Sequence, residues 1–226
     1  MKVAILSSGG KESSYSLWWA ICRGWDVDAL LTISINGKDS WMFQRECTQI
    51  TKLQAISCGI NHIEIETSGE REQEVDEVEN QLAKIIKNSD LEGVVVGALR
   101  SDYQKTRLEM MCERLNVAIY CPIWHHVPKE HMSRLLTEGF EVKIVKVACE
   151  GLGEEWLGRN IDDIYLKQLF ELSNKYRFNL DGEGGEFETV VLNGPMMKNK
   201  IELTTNNIWE GNRGYCEILE AKLIGN

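Results

Sequence analysis

The sequence contains no long apolar run. Its N-terminal apolar stretch, Val3–Leu6, is followed at once by serines and glycines, whereas a membrane-spanning helix needs about 20 consecutive apolar residues. We therefore expect no membrane span, no membrane partner and no signal peptide. The 226 residues suffice for one large domain or two small ones with a real core.

Metal-binding cysteine patterns are also missing. The seven cysteines are scattered along the chain, and none of them forms a CxxC pair or another metal-ligand spacing. Scattered cysteines in an odd number are typical of reduced thiols, so we expect a cytoplasmic protein.

The chain has no excess of basic residues. Its 25 lysines and arginines are outnumbered by 35 aspartates and glutamates, which gives a formal net charge of −10. A surface that coats nucleic acid needs a basic patch, so we expect no stable nucleic-acid partner. The sequence leaves a homo-oligomer open.

Up to residue 124 the apolar pattern alternates between strands and helices. The predicted strands are Val3–Leu6, Val27–Ile35, His62–Glu66, Val94–Leu99 and Ala118–Trp124. The predicted helices are Ser13–Arg23, Glu46–Ser57, Glu70–Lys87 and Ser101–Leu115. Repeated units of this kind predict an α/β fold with a doubly wound parallel sheet. Ligands of such folds bind beyond the carboxyl ends of the strands.

From residue 125 onward the pattern changes, and we predict a smaller C-terminal α+β domain. Pro128 is expected to begin a helix over Lys129–Glu138, and Gly139 to end it. A second helix is predicted over Asp162–Tyr176. The predicted strands are Glu141–Cys149, Phe187–Leu192, Lys200–Asn206 and Tyr215–Leu223, with turns at residues 193–195 and 211–212.

The connection between the first strand and the first helix suits a phosphate chain. Residues Ser7–Ser13 read SSGGKES. Small residues let the backbone close on an anion, hydroxyls add donors, Lys11 adds a positive charge, and the helix start directs free N–H groups to the same place. The order differs from the common phosphate loop GxxxxGK[ST]. A tight connection without a ligand is the alternative.

Two further segments combine glycines with polar side chains. Gly97 and Ala98 end a strand, where they would let a ligand approach the backbone, and Ser101 begins a capping box. Residues 181–189 read DGEGGEFET, and the carboxylates crowded beside the three glycines repel one another unless a cation, metal or donor offsets them. The alternatives are a capped helix with solvated charges and a solvent loop.

These motifs together resemble a known enzyme family. Ser8–Ser13, which reads SGGKES, resembles the pyrophosphate loop of N-type ATP pyrophosphatases, which cut ATP into AMP and pyrophosphate. Over nearly its whole length the chain looks like a diphthine–ammonia ligase (diphthamide synthetase) of the archaeal–eukaryotic kind. The other matching segments are Gly97-Ala98, Ser101–Gln104 with Arg107, Pro122–Trp124, Trp156–Arg159 and, most distinctively, Glu183–Thr189. One departure is Glu12, where the family usually has Asp.

The resemblance implies both a fold and a reaction. The fold is adenine nucleotide alpha hydrolase-like (HUP-type), with a nucleotide-binding domain over residues 1–124 and a substrate-binding domain over residues 125–226. ATP would adenylate the carboxylate of diphthine, a modified histidine of translation elongation factor 2 that carries a trimethylammonium group. Ammonia would then displace AMP and give diphthamide. Free ammonium is the expected ammonia source, since no glutaminase-like segment is visible.

The resemblance also assigns roles to individual residues. Lys11, Glu183 and Glu186 are the expected catalytic residues: Lys11, a polar loop residue without an evident packing role, would offset charge on the leaving pyrophosphate, and a carboxylate would accept the proton of ammonia or steady the substrate cation. The expected nucleotide-binding residues are Ser7, Ser8, Gly9, Gly10, Lys11, Ser13, Ile33, Gly97 and Ala98. The expected substrate-binding residues are Ser101, Asp102, Tyr103, Gln104, Arg107, Gly184, Gly185, Glu188 and Thr189. Mg²⁺ is expected with ATP, with Glu12 as its candidate ligand.

Two other functions stay open. A tRNA-modifying ATP pyrophosphatase of the thiolase or lysidine synthetase type would predict a basic surface and, in many thiolases, paired catalytic cysteines. A non-catalytic adenine-nucleotide sensor would keep the loop without needing residues Glu183–Thr189.

Overall fold

The computed structural model describes residues 1–35, 50–68 and 73–225. The chain forms two compact units. The first contains Met1–Ser8 and Glu12–Trp124, and the second contains Gly9–Lys11 and His125–Asn226. The helix starts that the sequence predicts at Glu46 and Glu70 lie outside the described residues.

A five-stranded, all-parallel sheet forms the first unit, which confirms the predicted doubly wound α/β fold. Its strands are β1 (Lys2–Leu6), β2 (Asp26–Ile35), β3 (Asn61–Thr67), β4 (Gly93–Val96) and β5 (Ala118–Tyr120). They lie in the order β3-β2-β1-β4-β5. The strand order reverses between β1 and β4, and folds of this kind bind ligands at that point of the carboxyl edge.

Within the described residues four α-helices connect these strands, and a local signal is visible at two of their ends. They are α1 (Lys11–Cys22), α2 (Thr51–Cys58), α3 (Gln73–Ser89) and α4 (Asp102–Arg114). Ser101 caps α4, since its side chain accepts a hydrogen bond from the Gln104 N–H at 3.4 Å. Gly59, with φ of 72°, ends α2.

Two strands of the first unit end earlier than predicted. β4 ends at Val96 and β5 at Tyr120, so Gly97–Leu99 and Cys121–Trp124 lie beyond the sheet. For β5 the reason is Pro122, which has no N–H to donate to a neighbouring strand. The chain turns there instead, and the Trp124 N–H donates to the Cys121 carbonyl at 3.2 Å.

The second unit contains an antiparallel sheet and two helices, which confirms the predicted C-terminal α+β fold. The helices are α5 (Pro128–Thr137) and α6 (Asp163–Tyr176), and the strands are β6 (Glu141–Val147), β7 (Asn160–Ile161), β8 (Phe187–Asn193), β9 (Asn199–Glu210) and β10 (Arg213–Gly225). β6 pairs with β8 along its length and with β7 and β10 at its two halves. β9 and β10 form a long hairpin.

The helix and hairpin ends of this unit follow the predicted signals. Pro128 occupies the first turn of α5, and Gly139 follows the helix with φ of 83°. The side chain of Asp162 caps α6 by accepting from the Tyr165 N–H at 2.8 Å. Gly211, with φ of 64°, turns the hairpin. In the part of the chain that the structure describes, no helix is long and apolar enough to cross a membrane.

Candidate active site

The ends of the phosphate-like loop are fastened in the first unit. The Ser7 N–H donates to the Leu31 carbonyl at 2.8 Å, and the Ser7 hydroxyl donates to Ser13 Oγ at 3.3 Å. Both serines are buried. The two hydroxyls that the sequence proposes as ligand donors therefore also hold the two sides of the loop together.

Gly97 lies directly against the backbone at the start of α1. A Cβ atom at this position would lie 2.7 Å from the Glu12 carbonyl carbon and 2.8 Å from the Ser13 nitrogen. Only glycine fits, because such short distances to backbone atoms cannot be relieved by a side-chain rotation. The carboxyl ends of β1 and β4 are thus brought together at the switch point of the sheet.

Two of the expected nucleotide-binding residues lie in the apolar core. Ile33 on β2 and Ala98 after β4 are buried, with 4% and 5% of their surface exposed, and both belong to the core between sheet and helices. Ser8 and Gly97 keep some exposure. Ile33 and Ala98 therefore contribute to the apolar core of the first unit.

The start of α4 presents a stacked aromatic and a cation. The Arg107 guanidinium lies 3.6 Å from the centre of the Tyr103 ring, one helical turn away. Asp102 is exposed in the first turn, and Tyr103 and Gln104 are half-buried. The contact between Arg107 and Tyr103 agrees equally with a ligand-facing helix start and with a capped helix whose charges are solvated, so the substrate-binding role of these residues stays a prediction.

Residues Gly9–Lys11 belong to the second unit, where they contact β8. The Val191 N–H donates to the Gly9 carbonyl at 2.9 Å, and the Lys11 N–H donates to Thr189 Oγ1 at 3.4 Å. Gly9 has φ of 79°, a conformation that favours glycine. Residues Gly9–Lys11 and the end of the Glu183–Thr189 segment, which are far apart in sequence, therefore meet within the second unit.

Lys11 is buried, which corrects the expectation that it has no packing role. Only 3% of its surface is exposed, and its Nζ lies 5.3 Å from the centre of the Phe187 ring. Phe187 is itself buried. The lysine is thus held beside an aromatic side chain, in a position where its positive charge is weakly screened by water.

A tight turn builds the carboxylate-rich loop before β8. The Gly185 N–H donates to the Gly182 carbonyl at 3.0 Å, and both glycines have positive φ. A Cβ on Gly182 would lie 2.7 Å from the Phe187 carbonyl oxygen. Asp181, at the start of the turn, is completely buried, and its Oδ1 accepts from the Glu183 N–H at 3.4 Å.

The carboxylates of this loop have different partners. Glu186 Oε1 accepts from the backbone and side-chain nitrogens of Asn179 at 2.9 and 2.8 Å. Its other oxygen, Oε2, is buried without a hydrogen-bond partner among the described residues. Glu188 pairs with Lys146 at 2.9 Å, whereas Glu183 stays half-exposed. Glu186 therefore combines a fastened oxygen with one that is available to a donor.

His131 on α5 is a candidate functional residue that the sequence analysis did not identify. It is 1% exposed, and burial, together with the positive charges of Lys11 and His126, lowers its pKa to about 3. The negative charge of Asp181 acts in the opposite direction. The only sequence signal is its place beside Met132 and Leu135 on the buried face of the helix, which is equally typical of an ordinary core histidine.

The described cysteines show no sign of activation. All six are free thiols, and burial raises the pKa of Cys112 to about 12 and that of Cys149 to about 11. The pKa values of Cys121 and Cys216 are raised for the same reason. Since the thiolate is the reactive form, these four side chains are poor nucleophiles at neutral pH.

Trp156–Arg159, another segment of the resemblance, is mainly structural. Trp156 is 5% exposed and packs edge-on against Tyr165, with ring centres 5.9 Å apart. Arg159 donates to the Tyr165 hydroxyl at 2.5 Å. This burial places the indole in the core.

The fold and the loop define an α/β protein of the nucleotide-binding type, with a glycine- and hydroxyl-rich loop after the central strand of a parallel sheet. The family model of the diphthamide synthase N-terminal domain matches residues 1–119, and that of the diphthamide synthase C-terminal domain matches residues 128–224. The chain belongs to the diphthamide synthase family, which confirms the resemblance seen in its motifs.

Individual relatives agree with this assignment. Diphthine–ammonia ligase of Rattus norvegicus is 34% identical over 225 residues, which are 91% of this chain and 84% of that protein. The Homo sapiens protein of the same name is 32% identical over 92% of this chain and 85% of its own length. In Schizosaccharomyces pombe the relative is 30% identical over 98% of this chain, but the match covers only 39% of that longer protein.

Among solved structures, a deacetylase triple mutant involved in teicoplanin biosynthesis aligns with 84% of this chain and 96% of its own. The TM-score is 0.34 and the identity is 12%. A likeness of this size supports no inference about fold or function.

Proposed function

We propose that this chain is an ATP-dependent diphthine–ammonia ligase, which converts the carboxylate of diphthine on a protein substrate into the amide of diphthamide. The observation that carries the proposal is the match of both family domains along the chain, at residues 1–119 and 128–224. The rat and human relatives with this name are 34% and 32% identical over more than nine-tenths of the chain. The enzyme is a ligase that forms a C–N bond.

The reaction follows from the chemistry of a carboxylate, which is a poor acyl donor because it has no good leaving group. A carboxylate oxygen of diphthine attacks the α-phosphorus of ATP, and pyrophosphate leaves. The nitrogen of ammonia then attacks the carbonyl carbon of the acyl-adenylate. The C–O bond to AMP breaks, and ammonia gives up a proton. Ammonia is itself the nucleophile, so no cysteine is required.

Lys11 is proposed to offset the charge that builds up on the departing pyrophosphate. Its ammonium is fixed by burial beside Phe187, and its backbone is held by Thr189. A charge that is already in place needs no reorganisation during the reaction, and it acts strongly where water is excluded. Gly9 and Gly10 carry no side chain that would keep a phosphate oxygen from the backbone.

Glu186 is proposed to accept the proton of ammonia or to steady the cationic substrate. Asn179 fixes one oxygen of its carboxylate, and the other oxygen is buried without a partner among the described residues. An unmatched buried oxygen favours a donor or cation beside it. Glu183, half-exposed in the same turn, is the second candidate for this role.

Mg²⁺ is proposed to enter bound to ATP. Among residues 1–35, 50–68 and 73–225 there is no group of three metal-ligating side chains. Mg²⁺ that is bound mainly by phosphate oxygens and water needs only one or two protein carboxylates, so Glu12 in the first turn of α1 fits this requirement. When bound, the ion would neutralise phosphate charge.

The protein substrate is proposed to be translation elongation factor 2, encountered in the cytoplasm. The free thiols of the described cysteines agree with a reducing compartment. The net charge of −10 gives no reason to expect a nucleic-acid partner. A homo-oligomer stays open.

The two alternative functions are not favoured. A thiolase needs an activated cysteine, and the raised pKa values of Cys112 and Cys149 describe the opposite state. A non-catalytic sensor has no use for the Glu183–Thr189 segment, and the curated relatives are named as ligases.

The direct test supplies the purified protein with ATP, ammonium and elongation factor 2 that carries diphthine. We expect one AMP and one pyrophosphate for each amide, with the amide identified by peptide mass spectrometry. Elongation factor 2 without diphthine is the control and should give no AMP. ADP and inorganic phosphate in stoichiometric amounts would contradict the proposal.

A further inference from the structure

Asn179 holds one oxygen of the Glu186 carboxylate with two hydrogen bonds. Its backbone N–H donates to Glu186 Oε1 at 2.9 Å, and its side-chain Nδ2 donates to the same oxygen at 2.8 Å. The backbone of Glu186 is fastened as well, because its carbonyl accepts the Ala148 N–H at 2.8 Å. The second oxygen, Oε2, is buried without a hydrogen-bond partner among the described residues. The two oxygens of this carboxylate are therefore not equivalent.

The two donors on Oε1 are neutral, so they fix the position of the carboxylate without supplying a counter-charge. Glu188 differs in this respect, since it pairs with the Lys146 ammonium at 2.9 Å. An ionised carboxylate accepts but cannot donate, so the Asn179 amide must present its nitrogen to Oε1. Because Oε1 already accepts these two bonds, Oε2 is the oxygen that can take a proton.

Gly184 packs directly against this hydrogen-bonded pair. A Cβ atom on Gly184 would lie 2.7 Å from Glu186 Oε1 and 3.0 Å from Asn179 Nδ2. Gly182 and Gly185 have positive φ, whereas Gly184 does not, so its φ does not by itself demand glycine. The lack of a side chain at this position therefore leaves room for the contact between Asn179 and Glu186.

We propose that Asn179 is a positioning residue for amidation, because it holds Glu186 so that Oε2 is the atom that meets ammonia. The inference rests on the proposed role of Glu186. When the nitrogen of ammonia bonds to the carbonyl carbon of the acyl-adenylate, the C–O bond breaks and its electron pair leaves with AMP. The surplus proton of the nitrogen passes to Oε2. The buried Oε2 needs a hydrogen-bond donor, which ammonia supplies and a quaternary ammonium, without an N–H, does not.

Asn179 also has a structural role in the turn before β8. Its carbonyl accepts the Gly182 N–H at 2.9 Å. This bond uses only the backbone, so a substitution of the side chain at position 179 leaves it in place. The two roles can then be separated by changing the side chain alone and measuring adenylation and amidation one at a time.

Pyrophosphate exchange and amide formation give the two readouts. Exchange of labelled pyrophosphate into ATP, with diphthine-bearing elongation factor 2 and no ammonium, reports adenylation. Asn179→Ala should leave this exchange unchanged and lower kcat/KM for ammonium by about 10–100-fold, as expected when a reacting group is misplaced by up to about 1 Å. Asn179→Asp should lower kcat/KM for ammonium further, because a second carboxylate beside Oε1 repels the first.

The loss should depend on Glu186. In the Glu186→Gln background, Asn179→Ala and Asn179→Asp should cost little further activity, because the side chain that Asn179 positions no longer acts as a base. Asn174 on α6 is a matched control, since it is exposed and its Nδ2 donates to the Phe170 carbonyl at 2.8 Å. Asn174→Ala and Asn174→Asp should change neither readout.

Gly184→Ala tests the same pair from a second residue. The added methyl group should push Oε1 and the amide apart, and thereby lower kcat/KM for ammonium without changing the exchange. The positioning role is overturned if the Asn179 variants keep full amidation while Glu186→Gln loses it, if exchange and amidation fall together, or if the losses multiply in the double variants. Full amidation by Glu186→Gln would instead refute the role proposed for Glu186.

Discussion

At the scale of single residues, this chain buries charge in the places where its chemistry is proposed to occur. Lys11 and Asp181 are almost completely removed from water, and Glu186 keeps one buried oxygen without a hydrogen-bond partner among the described residues. Buried groups of this kind are costly to stability. They lie in two motifs that meet through Thr189 and the Lys11 N–H, where perturbed buried groups agree with the proposed function.

Removing the charge of Lys11 should cost mainly rate. We expect Lys11→Met, which keeps the aliphatic bulk beside Phe187, to lower kcat for AMP formation by about 10²–10³-fold, because one preorganised charge toward the leaving pyrophosphate is lost. Lys11→Ala should lose a similar rate and more stability, since the side chain is buried. Lys167→Met, at an exposed position of α6, is the control. Full turnover by folded Lys11→Met would refute the assignment.

Glu186 and Glu183 should separate amidation from ATP binding. We expect Glu186→Gln to reduce amide formation by about 10²–10⁴-fold, the usual effect of losing a general base, while calorimetry shows unchanged ATP affinity. Gln keeps an oxygen for the Asn179 N–H. Glu183→Gln should also reduce amide formation without changing ATP affinity. Glu171→Gln, at an exposed position of α6, should change neither amide formation nor ATP affinity. Parallel loss of ATP affinity and amidation would place these carboxylates in the nucleotide or metal site instead.

His131 should make the stability depend on pH below neutrality. In the unfolded chain its pKa is near 6.5, whereas in the folded protein it is about 3. Between these values the unfolded state binds more protons, so the unfolding free energy falls as the pH falls. We expect a loss of about 2 kcal/mol from pH 7 to 5 that arises from this residue.

The measurement is the unfolding free energy in urea at several pH values. His131→Gln cannot titrate, so its curve between pH 7 and 5 should be markedly flatter than that of the parent. His62→Gln is the control: burial lowers the pKa of His62 as well, but this side chain is only half-buried, and its removal should flatten the curve less. Equal slopes for the parent and His131→Gln would show that the imidazole does not stay neutral on folding.

At the scale of helices and strands, local signals could be recognised in the sequence, and non-local ones could not. Pro128, Asp162 and Gly211 act on their immediate neighbours, so the starts of α5 and α6 and the turn of the hairpin are where the pattern predicts them. β7 consists of two residues and exists only because β6 offers it an edge. No periodicity could have revealed it.

The candidate site also combines local features that the sequence shows with non-local features that it does not show. The residue types of the loop and of Glu183–Thr189 were enough to suggest phosphate chemistry and a family. Other features depend on the folding of distant segments against each other and could not be read from the sequence. These features are the burial of Lys11, the burial of His131 and the contact of Thr189 with the loop backbone. Ile33 and Ala98 were predicted to bind the nucleotide, and the structure places them in the apolar core. Small or apolar residues near a strand end suit either role, so the sequence alone could not distinguish them.

The close contact of Gly97, after β4, with the start of α1 can be tested by substitution. We expect Gly97→Ala to destabilise the protein by about 1–3 kcal/mol, the usual cost of overpacking, because the added methyl group would meet the Glu12–Ser13 backbone at 2.7–2.9 Å. Calorimetry should also show weaker ATP binding, since this backbone begins the loop helix. Gly225→Ala, with no atom within 4 Å of its Cβ, is the control. Equal urea midpoints for the two variants would contradict this account of the contact.

For the whole molecule, the matches to both family domains support a single proposed reaction, in which ATP activates a carboxylate and ammonia captures it. The N-terminal family domain matches residues 1–119 and the C-terminal one residues 128–224. The first unit supplies the parallel sheet and the second the carboxylate loop. The intermediate that joins the two halves of this reaction is the acyl-adenylate.

The transfer of oxygen from diphthine to AMP shows whether this acyl-adenylate forms. Elongation factor 2 whose diphthine carboxylate carries ¹⁸O at both oxygens is incubated with the protein, ATP and ammonium, and the products are analysed by mass spectrometry. An acyl-adenylate predicts one ¹⁸O in each AMP and one in each amide, because the C–O bond to the adenylate breaks when ammonia attacks. Label in inorganic phosphate with release of ADP, or amide formation with unlabelled AMP, would contradict the account.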